Sequence, residues 1–125
     1  MRQIETDQAP SPAGHYSQAI AHGGMLWISG QLPIRADGTR CDGEPFEVQA
    51  HQAMSNLLAI LRAGGGKAED LVKVTAYIKG VEHWPTFNST YADLMGDARP
   101  ARAIVPVPEL HHGLLVEVEG FAVVT

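Results

Sequence analysis

The chain of 125 residues has the length of one domain with a single core, so residues 1–125 are read as one unit. Its 45% hydrophobic and 18% charged residues are those of a soluble globular protein and exclude a disordered tail or a membrane protein. A net charge of −5, with nine Lys and Arg scattered along the chain, offers no basic stripe to a phosphate backbone, so nucleic acid is not expected as a partner. No apolar run approaches the roughly 18 residues that span a bilayer, and Met1 to Pro10 lacks the apolar core of a signal peptide. A cytoplasmic protein with no membrane partner is therefore expected.

In chain order, Arg2 to Thr6 is a short strand candidate, followed by the breakers Pro10, Pro12 and Gly14. Tyr16 to Ala21 and Met25 to Gly30 read as two strands of a hairpin turning at Gly23 and Gly24. Asp37 to Pro45 is a loop by composition. It holds the single Cys41, which has no internal disulfide partner and nothing nearby in sequence to favour a thiolate. Ala50, Ala53, Met54, Leu57 and Leu61 recur at spacings of three and four, predicting a helix that ends at Gly64, with Gln49, Gln52, Ser55, Asn56 and Arg62 largely on other faces. The triple glycine at 64–66 precedes a strand instead of opening a helix, so it reads as a helix end and not a phosphate cradle.

Leu71 to Lys79 alternates Val72, Val74, Ala76 and Ile78 against Leu71, Lys73, Thr75 and Tyr77, which predicts a strand with two unlike faces. Trp84, Phe87, Tyr91 and Leu94 then follow helical spacing, with Pro85 in the first turn and Gly96 at the end, and the aromatic residues Trp84 and Phe87 are assigned to core packing. The strand after Arg99 sets Ala101, Ala103, Val105 and Val107 against Arg102, Ile104 and Pro106. The last strand sets Val116, Val118, Gly120, Ala122 and Val124 against Leu115, Glu117, Glu119, Phe121 and Val123.

The order of elements gives an α+β fold with a mixed sheet and two helices on one face. The other face would then hold Leu115, Phe121, Ile104 and Tyr77 together with charges. A symmetric homo-oligomer that buries these faces, with polar clefts where subunits meet, is the expected way to cover them.

Arg102 and Glu117 are the candidates for chemistry, since charged groups among apolar strand residues are costly to desolvate unless paired or employed. The pattern places both on the faces turned away from the helices. Arg102 offers a planar fork suited to a substrate carboxylate, although a structural ion pair is the plain alternative. Glu117 and Glu119 share a strand face. Desolvation between Leu115 and Phe121 would raise a carboxylate's pKa and suit it to take a proton from water, and the pattern does not choose between the two acids. Tyr16, Ser17, Gln18 and Asn88 are polar groups able to hold a small ligand or to satisfy local backbone. The six histidines show no ligand spacing, and adjacent His111 and His112 chelate poorly, so no metal is expected.

Read together, GHYSQAI at 14–20, SGQLP at 29–33, 56–64, 88–91, RPAR at 99–102 and VEVE at 116–119 resemble the RidA (YjgF/YER057c/UK114) family, in register from Ala9 to Val124. The resemblance implies a homotrimer of chorismate-mutase-like α+β subunits, with sheets lining the interior and an active cleft at each subunit interface. It implies hydrolysis of reactive 2-imino acids, derived from enamines such as 2-aminoacrylate, to 2-keto acids and ammonia without a cofactor. In that family the residue matching Arg102 binds the substrate carboxylate and the one matching Glu117 activates water. Those matching Tyr16, Gly30 and Asn88 line the cleft, and the one matching Ile104 offers its backbone N–H. His15 replaces a usual Pro, Ala103 and Ile104 replace a common Ser and Cys, and His111 stands where Pro often follows the Leu. The first and last of these departures alter the cleft rim. A non-catalytic trimer sensing keto acids, and a ribonuclease or translation inhibitor, are the alternatives of other classes.

Overall fold

The computed structural model describes residues 1–124. Six strands form one sheet in the order β1-β2-β3-β6-β4-β5, where β1 is Arg2–Ile4, β2 Ala19–His22, β3 Met25–Gln31, β4 Leu71–Ile78, β5 Ala101–Pro106 and β6 Val116–Val123. Helix α1, Phe46–Ala63, connects β3 to β4, and α2, Trp84–Met95, connects β4 to β5. β3 and β4 both run antiparallel to β6, which lies between them, and β4 runs parallel to β5. Both helical connections therefore join parallel strands and need a crossover, which is what the helices supply. No helix of the described residues is long and apolar enough to cross a membrane.

Local chemistry accounts for each boundary. β2 and β3 pair His22 with Met25, leaving Gly23 and Gly24 at φ 58° and 79° as a two-residue turn of the kind that favours glycine. At the end of α1, Gly65 takes φ 91° and its N–H donates to the Arg62 carbonyl, while the Gly66 N–H donates to that of Leu61. This is a Schellman cap, so the triple glycine is the helix end read from the sequence.

The helices cover one face. Val74, Ala76, Ile78, Val116, Val118 and Ala122 are buried beneath Met54, Leu57, Ile60, Leu61 and Phe87. A methyl group on Gly120 would lie 2.9 Å from the Lys73 carbonyl oxygen, so glycine there admits the close approach of the β4 backbone beside its register shift, while Leu57 Cδ1 of α1, at 3.6 Å, would be in ordinary contact. The other face carries Trp27, 49% exposed, its ring 5.1 Å from that of Phe121, with Tyr77 and Glu119 beside them.

Four readings of the sequence are corrected. Register slips between Leu71 and Lys73, so Leu71 is buried and Val72 exposed, the reverse of strict alternation. Gln49 and Asn56 are not on a solvent face of α1 but 1% exposed. Trp84 is 42% exposed at the start of α2 and is not core, unlike Phe87. Finally, Arg102 and Ile104 stand opposite the buried Val74 and Ala76, so they lie on the helix side of the sheet. The edge position of β5 explains this misreading: α2 covers it only partly, and a charged side chain can reach the helix rim there without full desolvation.

Candidate functional site

The candidate residues fall into two groups on one chain. Glu117, Gly30 and Tyr16 line an open cleft of about 880 Å³, walled by the chain from Pro10 to Gly14 and by Leu32, Ile34 and Arg40, with His111 and His112 at one corner. Glu117, the second residue of β6, projects on the open face and pairs with Tyr77 of β4. Gly30 lies at the end of β3, where the β3–β6 register shifts. A methyl group on Gly30 would overlap Glu117 Oε2, so glycine leaves room for that carboxylate. Tyr16 is 49% exposed on the cleft wall and its hydroxyl accepts the Ala13 N–H at 3.2 Å.

The two ion pairs among the described residues join Arg35 to Glu44 and Arg40 to Asp42, so neither takes Glu117. Burial, with a smaller push from Glu119, holds the Glu117 carboxyl above the ordinary carboxylate range, and His111 opposes the shift. Glu119 is exposed and accepts a 3.4 Å hydrogen bond from the Tyr77 hydroxyl. The open choice between the two acids thus narrows to Glu117, which alone lines the cleft.

Three buried amides set the cleft walls. The Gln18 side chain accepts the Thr6 N–H at 2.8 Å and donates to the Thr6 and Pro10 carbonyls at 3.1 and 2.9 Å, which fixes the wall before Tyr16. Asn56 Nδ2 donates to the carbonyls of Leu32 and Ile34 at 3.2 and 2.8 Å. Gln49 accepts the Leu115 N–H at 2.9 Å and donates to the Glu44 carbonyl at 3.0 Å, which holds the entry to β6 two residues before Glu117. Gln18 is thereby a backbone staple and not a ligand group. Cys41 is fully buried and burial raises its thiol pKa, consistent with an unreactive side chain.

The second group lies on the other side of the sheet. Arg102 Nη1 donates to Asn88 Oδ1 at 3.0 Å, and its guanidinium carbon sits 4.8 Å from the Tyr91 ring centroid and 5.6 Å from that of Trp84. Two aromatic faces and an amide thus orient the fork. Asn88, Tyr91, Arg99 and Arg102 line one shallow depression. Burial raises the Tyr91 hydroxyl's pKa, Arg102 opposes this, and the hydroxyl has no hydrogen-bond partner among the described residues. Ile104 packs against the core from the edge strand. The role of Trp84 as a wall for Arg102 was missed from the sequence, and the signal available was its place one helical turn before Asn88.

A six-stranded mixed sheet with two helices on one face and a carboxylate-bearing cleft defines the class, an α+β protein. The model of the family described as Endoribonuclease L-PSP matches residues 6–124, and the chain belongs to that family, the RidA/RutC proteins. A RutC family protein of Pyrococcus horikoshii is 39% identical over 119 residues, 95% of this chain and 94% of that one. A 2-iminobutanoate/2-iminopropanoate deaminase of Dermatophagoides farinae is 34% identical over 123 residues, 98% of this chain and 96% of that one. The crystal structure of RidA from an Antarctic Psychrobacter bacterium superposes with a TM-score of 0.94 at 34% identity, covering 99% of this chain and 100% of that one. The α+β fold expected from the sequence is the fold observed.

Proposed function

We propose that this chain hydrolyses 2-imino acids to 2-keto acids and ammonia, in a cleft completed by a second copy of itself within a homotrimer. The carrying observation is Glu117, an acid whose pKa burial raises, in a cleft where no ion pair among the described residues claims it. A relative whose name is that of an imine deaminase supports the reaction class.

In this reading Glu117 takes a proton from a water that attacks the carbon of the protonated imine. The resulting carbinolamine receives that proton on nitrogen, the C–N bond breaks as Glu117 takes the hydroxyl proton, and the 2-keto acid is left while that proton passes to the departing ammonia. A protonated imine is already electrophilic, so positioning and a base suffice, and such a base is typically worth about 10² to 10⁴ in rate.

The substrate α-carboxylate needs a cation, and in this reading it is Arg102, whose fork an amide and two aromatic rings orient. Within one chain it is out of reach. Arg102 lies opposite Val74 and Glu117 opposite Tyr77 on β4, on opposite faces. A three-residue offset and two strand spacings put their Cα atoms about 14 Å apart. A short imino acid cannot span that through a sheet, so the Arg102 that serves Glu117 belongs to another copy. Burial of the Trp27 and Phe121 face would drive that association.

The test is ammonia and keto-acid release from 2-iminobutanoate generated in situ by an amino acid oxidase. Release accelerated by the protein and lost in Glu117→Gln supports the reading. Keto-acid binding without turnover would instead favour the metabolite-sensing alternative.

A further inference from the structure

Arg40, Asp42, His111 and His112 build a corner of the cleft that is given no step in the imine chemistry proposed above. His112 is the one non-glycine residue among those described with a positive φ, 62° at ψ 13°, a left-handed conformation that histidine enters more readily than most side chains. That conformation lays its ring against Arg40, whose Nη1 is 3.2 Å from His112 Nδ1, and puts the His111 and His112 rings edge to face at 3.8 Å. Arg40 Nε donates to both carboxylate oxygens of Asp42, at 3.1 and 3.2 Å.

These contacts fix the guanidinium without exhausting it. An arginine has five N–H groups and can only donate. One goes to Asp42 and one to His112, which leaves three uncommitted in the described residues. Because Arg40 donates to Nδ1, the neutral His112 ring carries its proton on Nε2 and presents a further donor. The acids lining the cleft are Asp42, already engaged, and Glu117. A surface arginine would ordinarily swing freely. Arg40 is exposed too, but it is contacted at two points, by Asp42 and His112, and lines the same cleft as Glu117 with its remaining fork open to a planar bidentate acceptor.

We infer that the Arg40–His112 corner is a subsite for a carboxylate at the far end of the substrate, so that this chain takes short 2-imino and 2-keto dicarboxylic acids in preference to small aliphatic ones. The inference rests on the imine-hydrolase reading of the cleft for its substrate class, but its binding test does not require turnover. The α-carboxylate would go to Arg102 of the second copy and the distal carboxylate to Arg40, each charge meeting its own guanidinium.

Calorimetry with 2-oxoglutarate and 2-oxobutanoate on the intact protein tests it. The dicarboxylate is expected to bind about tenfold tighter or more, the size of one charge-assisted contact. Arg40→Gln should bring the ratio of the two affinities close to one. His112→Gly, which suits the left-handed backbone and so keeps the fold, should lower that ratio as well. Equal affinities in the wild type, a ratio untouched by Arg40→Gln, or no binding of either acid overturns the subsite. Parallel assays with 2-iminobutanoate separate the two ideas. Hydrolysis without a dicarboxylate preference sinks only the subsite, and a calorimetric preference without hydrolysis of any imine sinks only the enzymatic reading.

Discussion

Mixing two inactive variants gives a quantitative test of a site divided between copies. Arg102→Ala removes the carboxylate anchor and Glu117→Gln removes the base, and each homo-oligomer is expected to lose about 10² to 10⁴ in kcat/KM. When the two are co-expressed in equal amounts, each cleft draws its Arg102 from one chain and its Glu117 from a neighbour. Random assembly then gives both native residues to about a quarter of clefts, whatever the size of a closed ring. The mixture should therefore recover about 25% of wild-type ammonia release, far above either parent. The geometry behind this number is the separation of the two residues across opposite faces of the sheet. A mixture no more active than the mean of its parents would refute a shared cleft, because a site within one chain can never be restored by mixing.

Three further outcomes follow from the cleft and its supports. Gly30→Ala forces a methyl group onto Glu117 Oε2, and is expected to cost about tenfold or more in kcat/KM with an unchanged far-ultraviolet circular dichroism spectrum. Burial raises Glu117 above its unfolded value, so folding favours the neutral form. Stability from this group is full below the unfolded pKa and is lost as pH rises through the folded one. Glu117→Gln, neutral throughout, should therefore melt above wild type at neutral pH and lose that advantage near pH ~4, while the acid limb of wild-type kcat/KM should lie above the ordinary carboxylate range. Gln49→Ala strands the Leu115 N–H and the Glu44 carbonyl. Urea denaturation should show a loss of about 1–3 kcal/mol, because both partners are only part-buried and water can reach them in part.

Periodicity made most of the fold legible, because strands and helices that bury one side repeat at two or at three to four residues. The smooth aliphatic side of β6 was readable for that reason, and the hairpin turn and the end of α1 were readable from the glycines that mark them. Alternation failed where geometry is not regular. The bulge at Leu71–Lys73 inverts two residues, and an edge strand lets Arg102 lie on the helix side. Buried amides were invisible for another reason: Gln49 and Asn56 carry the polarity of surface residues, and only the loops they serve explain their burial. Of the candidate site, residue types were legible and their distribution was not. Tyr16, Gly30 and Glu117 come together, while Asn88, Arg102 and Ile104 stand elsewhere on the same chain.

The three amide staples have a consequence for how such a protein can change. Gln18, Asn56 and Gln49 grip carbonyl and N–H groups of the loops and ignore the side chains those loops carry. Shape is thereby inherited through the main chain, and side chains along Pro10 to Gly14 or at Arg40 and His111 are free to drift. One scaffold can explore many ligands by single exposed substitutions, without renegotiating its core each time.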